Sequence, residues 1–83
     1  MTVGAPHGRD SMTKDDIKLL IEAGLPGARA DVRGDDGQHF EAEVTFAGFA
    51  GKPVIQQHRM VYGALGERMG REIHALQLKT RAP

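Results

Sequence analysis

Apolar residues recur along this chain at two spacings, and the points where one gives way to the other predict its elements. Ile17, Leu20 and Ile21 form an i, i+3, i+4 stripe preceded by Thr13, with Lys14, Asp15 and Asp16 in the first turn. That pattern predicts an amphipathic helix with a threonine N-cap and two carboxylates set against the positive end of its dipole. Gly24 and the following Leu25-Pro26-Gly27 stop it. Ala28, Ala30 and Val32 then alternate with Arg29, Asp31 and Arg33, and Phe40, Ala42, Val44 and Phe46 with Glu41, Glu43 and Thr45. Such alternation predicts two strands, each with one apolar face. Between them Gly34-Asp35-Asp36-Gly37 reads as a hairpin turn, because Gly and Asp adopt positive φ at small cost. Gly48 ends the second run, and Phe49 is placed to plug the core.

The helical spacing returns at Val54, His58, Val61, Leu65 and Met69, a ladder at i, i+4, i+7, i+11 and i+15. Pro53 suits the first turn, where no amide donor is needed, and Gly70 is placed to end the helix in the left-handed conformation. A break near Gly63 and Gly66 would split this helix in two. Ile73 to Thr80 closes the chain as a short half-buried strand with Leu76 and Leu78 inward.

The order is helix, strand, strand, helix, strand. The first two strands predict an antiparallel hairpin, and a third that returns after a helical crossover predicts parallel pairing beside the second. The expected fold is α+β: a two-layer α/β sandwich of αββαβ order over a three-stranded mixed sheet.

Composition narrows the function classes. With 83 residues the chain holds one domain. Residues 1–11 lack periodicity and read as a disordered N-terminal tail, leaving 12–83 as the domain. There is no cysteine, hence no disulfide framework, thiol nucleophile or thiolate ligand. No apolar run approaches the ~20 residues of a membrane span and no signal-peptide pattern opens the chain, so the expected location is cytoplasmic and away from membranes. The zero net charge conceals an asymmetry: residues 1–51 hold 5 Lys/Arg against 9 Asp/Glu, and residues 52–83 hold 6 against 2. A division of −4 and +4 suits either a basic face for an anionic partner or two halves that neutralise each other.

Enzyme chemistry finds no support. There is no Ser/His/Asp ordering, no glycine-rich loop leading into a helix and no pair of carboxylates placed for acid–base work. Asp35 and Asp36 are accounted for as turn residues. His58 falls on the apolar ladder and reads as a core residue with one hydrogen bond. Lys52, Gln56, Gln57, Arg59 and Lys79 read as a polar, basic surface. His39 and His74 open the second and third strands. Neighbouring strands lie ~4.8 Å apart, so parallel pairing would let two histidines at adjacent strand starts share a metal. Parity opposes this, since His74 is in phase with inward Leu76 whereas His39 is out of phase with inward Phe40. Residue spacing leaves both readings open: a shared metal, or two structural histidines.

The run HRMVYGALGERMG followed by IHALQLKT resembles the BolA family, whose members carry a GK…HR…VY…L helix and then an IHAL-type strand. The upstream GDDGQHFEAEV is similar to the family's glycine- and aspartate-rich hairpin loop, and the match runs from Thr13 to Pro83. The resemblance implies a fold like the second type of KH domain. It also implies a non-enzymatic adaptor in iron–sulfur cluster assembly or trafficking. Such an adaptor is a monomer alone and a heterodimer with a monothiol glutaredoxin, the two sharing a [2Fe–2S] cluster. The family's ligand in the IHA motif corresponds to His74. Its second ligand, a Cys or His of the hairpin loop, leaves His39 as the nitrogen candidate here and Asp36 as an oxygen one. Neutral imidazole is an accepted Fe–S ligand that raises the cluster potential relative to thiolate. Lacking cysteine, the chain would rely on thiolates of the glutaredoxin and of glutathione brought by that partner. The rival expectation is a transcription regulator that binds duplex DNA through a helix-turn-helix-like surface from Gly51 to Arg59, with Lys79 nearby.

Overall fold

The structure is a computed structural model, and it describes residues 12–83 apart from Asp35, Gln38, Glu72 and His74. The tail expected over residues 1–11 lies outside the described residues.

Helix α1 (Lys14–Gly24) starts where the sequence places its cap. The Thr13 hydroxyl accepts the Asp16 N–H at 3.1 Å, and the Asp16 carboxylate accepts the Thr13 N–H at 3.0 Å. This reciprocal capping box satisfies two amides that the first turn leaves without helical partners. Met12, just before the cap, is only 9% exposed and joins the core with Ile17, the arrangement of a hydrophobic staple.

Strands β1 (Arg29–Arg33) and β2 (His39–Thr45) form the antiparallel hairpin, with Ala30 facing Val44 and Val32 facing Ala42. Strand β3 (Ala75–Arg81) pairs parallel to β2, from His39 opposite Ala75 to Thr45 opposite Arg81. The sheet order is β1-β2-β3, so the predicted α+β architecture is the observed one. Helices α1 and α2 (Val54–Leu65) cover one face and leave the other open. Ile17, Ile21, Phe49, Val61, Leu65 and Ile73 are fully buried between the layers. Phe49, on a 3-10 turn (Ala47–Phe49), meets Phe46 edge to face with ring centroids 5.3 Å apart.

Two expectations need correction. The second helix stops at Leu65, a turn before Gly70 and at the break expected near Gly66, because Gly66 takes a φ of +62° that ends the helical path. A 3-10 turn (Gly66–Arg68) follows, and Gly70, also at positive φ, belongs to the loop that returns to Ile73. His58 is not a core residue. It is half-buried, its ring meets that of Tyr62 edge to face at 6.4 Å, and the ring makes no hydrogen bond among the described residues. The ladder fails at its first turn, where Val54 is 61% exposed. There Gln57 turns inward instead: its amide donates to the carbonyls of Phe49 and Lys52 and accepts from the Thr80 hydroxyl. Leu76 and Leu78 face inward and are half-buried as expected, since β3 is an edge strand covered on one side only.

Candidate metal-ligand site

The hairpin loop delivers His39 to the first position of β2 through a local aspartate turn. One carboxylate oxygen of Asp36 accepts the main-chain N–H of His39 at 2.8 Å, and the other lies 2.9 Å from its ring Nδ1. Aspartate makes this kind of contact readily, because its short side chain reaches amides two or three positions along. The pair is on the surface, with the His39 side chain 73% and the Asp36 side chain 58% exposed. Both Asp36 and His39 were candidates as the second ligand; they are hydrogen-bonded to each other.

Parallel pairing places the starts of β2 and β3 on one edge of the sheet, His39 opposite Ala75. An open groove of about 510 Å³ runs along that edge, lined in part by Arg33, His39, Phe40, Ala75 and Leu76. His74, the residue before Ala75 in sequence, lies outside the described residues, as does Asp35.

The described residues contain no group of three or more His, Cys, Asp or Glu arranged to hold a metal ion, and the chain has no cysteine. An exposed imidazole whose Nδ1 meets Asp36 can offer its other nitrogen as one ligand of a site completed from elsewhere. It does not fit a centre assembled by these residues alone.

The five residues assigned to a basic surface do not share one. Lys52, Gln56 and Arg59 are exposed on α2 and the loop before it. The Gln57 amide is committed: it donates to the Lys52 carbonyl at 2.8 Å and accepts from Thr80 Oγ at 2.6 Å. Because Thr80 meets α2, strand alternation turns Lys79 to the open face of the sheet. There it sits opposite Glu43 and lines a depression with Asp31, Arg33 and Glu41. Acidic neighbours surround that cation, and the sheet separates it from Arg59. The inward phase of Leu76 and Leu78 carries the same parity signal.

No helix among the described residues is long and apolar enough to cross a membrane.

Comparison with known proteins agrees with the fold and the motif. The family model described as BolA-like protein matches residues 22–83. The chain is 49% identical over 71 residues to Protein BOLA2 of Arabidopsis thaliana, covering 82% of this chain and 75% of that protein. It spans only 53% and 56% of two other curated relatives that it matches. Among solved structures, a bolA protein homologue from Coxiella burnetii superposes with a TM-score of 0.79 at 48% identity, covering 87% of this chain and 92% of that one. The BolA domain of SufE1 from Arabidopsis thaliana does so with a TM-score of 0.71 at 26% identity, over 84% and 91% of the two chains. With the helix–IHAL sequence, the αββαβ sheet order and these matches in agreement, the chain belongs to the BolA family of BolA-like proteins.

Proposed function

We propose that the chain is a cytoplasmic, non-enzymatic adaptor in iron–sulfur cluster handling, which shares a [2Fe–2S] cluster with a monothiol glutaredoxin. The observation that carries the reading is His39: an exposed imidazole held at the mouth of β2, directly across from the start of β3, into which the IHAL segment leads. Membership of the BolA family supports it, as does the match to a BolA domain that forms part of SufE1.

In this reading the chain supplies nitrogen ligands, His74 as the first and His39 as the second. The glutaredoxin and its glutathione supply the thiolates that a cysteine-free chain lacks. When bound, the cluster brings one-electron chemistry and exchangeable iron, and histidine in place of thiolate raises its potential. Asp36 orients the His39 imidazole at the sheet edge, and the adjoining groove gives the partner a surface to cover.

The test mixes the protein with a cluster-loaded monothiol glutaredoxin and follows visible absorption and circular dichroism. The protein alone should take up no cluster from iron and sulfide, and the mixture should give a heterodimer whose spectrum differs from that of the glutaredoxin homodimer. His74→Ala should abolish the change while amide-shift dispersion stays intact. A His74→Ala protein that gives the unaltered mixed spectrum would end this reading.

A further inference from the structure

We propose that Asp36 acts as the positioning residue of His39, holding its Nδ1–H so that the ring presents an unprotonated Nε2 to an incoming metal centre. The inference rests on the reading of His39 as a cluster ligand and goes beyond it, since it removes Asp36 from the ligand set.

One carboxylate makes two contacts with His39. Its oxygens take the His39 main-chain N–H at 2.8 Å and the ring Nδ1 at 2.9 Å. The first contact fixes the backbone where β2 begins. The second fixes the rotation of the ring relative to that backbone. An ionised carboxylate only accepts hydrogen bonds, so the hydrogen in the second contact resides on Nδ1. A neutral imidazole carries a single N–H, which leaves the lone pair on Nε2.

That nitrogen lies across the ring from Asp36, on a side chain that is 73% exposed, and is open to approach. As a direct ligand, Asp36 would surrender both contacts and release the turn that places His39. As a positioning group it keeps both. The arrangement is that of the carboxylate–histidine–metal relay, in which the outer carboxylate selects the tautomer and raises the basicity of the ligating nitrogen.

The decisive variant is Asp36→Asn. Its amide oxygen still accepts the main-chain N–H, so the turn survives. Its NH2 then faces Nδ1 and, as a donor, demands a lone pair there, which moves the ring hydrogen to Nε2. The same substitution in a catalytic His–Asp pair is known to leave geometry intact while imposing the wrong tautomer.

Long-range 1H–15N correlation spectra of the full, metal-free chain at mildly alkaline pH read the tautomer directly. The wild type should show His39 protonated at Nδ1, and Asp36→Asn should show it protonated at Nε2. In circular-dichroism titrations with cluster-loaded glutaredoxin, Asp36→Asn and Asp36→Ala should each weaken the mixed complex about tenfold, and His39→Ala should lose its spectral signature.

Asp36→Asn with an unchanged tautomer, or with unweakened complex formation beside a defective His39→Ala, would overturn the positioning role and leave the His39 reading standing. A wild-type His39 already protonated at Nε2, with Asp36→Ala as defective as His39→Ala, would make Asp36 a ligand and also overturn it. A normal complex from His39→Ala would remove the ligand reading itself, and the positioning role with it.

Discussion

The Glu22 carboxylate on α1 accepts the main-chain N–H of Ala30 on β1 at 3.0 Å, so a helix side chain completes the bonding of an edge strand. Lys18, one turn earlier, donates to the Ala30 carbonyl at 2.9 Å and to Glu22 at 2.8 Å. The i, i+4 ion pair thereby occupies both polar groups of Ala30 at the outer margin of the sheet. An edge strand with open amides invites pairing with other chains. This contact closes that margin at its centre.

The Lys18 ammonium, and after it the Ala30 N–H, hold the Glu22 carboxyl below its ordinary value of 4.5. A carboxyl lowered in the folded state contributes stability that is complete above its unfolded value and is lost as pH falls through the folded one. Chemical denaturation as a function of pH should therefore show a loss of stability beginning below about pH 4.5 that is reduced in Glu22→Gln. Near neutrality Glu22→Ala should cost about 1 kcal/mol, the loss of one partly exposed hydrogen-bonded partner. An acid profile identical in wild type and Glu22→Gln would contradict the assignment.

Gly24 marks a close approach of the two helices. A methyl group on it would come within 2.6 Å of Ala64 Cβ and 3.0 Å of Ala64 Cα. Gly24→Ala should destabilise the domain by roughly 1–3 kcal/mol through overpacking. Ala64→Gly should recover part of that cost in the double variant, more than the two single effects added together would give. Strictly additive melting data would show that the helices are free to separate.

Gln57 ties α2 to both the preceding loop and β3. Gln57→Ala leaves the Lys52 carbonyl and the Thr80 hydroxyl without this partner, and should cost about 1–2 kcal/mol. A double-mutant cycle with Thr80→Val should return a coupling of about 0.5–1.5 kcal/mol. Zero coupling would place the amide in solvent.

His58→Ala should cost less than about 1 kcal/mol, because the residue is half-buried and its ring meets that of Tyr62 edge to face. Thermal denaturation decides it. A loss of several kcal/mol would return His58 to the core.

Local pattern by itself determined the elements, their order and the strand pairing. Strict alternation in 28–33 and 40–46 leaves one way to bury Ala30, Val32, Phe40 and Val44 together. Thr13 and the GDDG turn act within a few residues of themselves, so their roles are written in the sequence. What was not legible depends on which surface lies beneath a residue. Val54 and Val61 share a helical face, yet one is 61% exposed and the other fully buried, because Val54 stands at the open end of α2 while Val61 lies over the core. Periodicity measures angle around a helix axis and carries no information about where the neighbouring layer ends. The candidate site divides in the same way. That His39 opens a strand beside the start of the third follows from the order of elements. That Asp36 grips its ring, and which acidic side chains lie around Lys79 on the open face, was settled by the folded backbone. Side-chain contacts of that kind depend on distances of a few ångströms between atoms whose separation no residue pattern encodes.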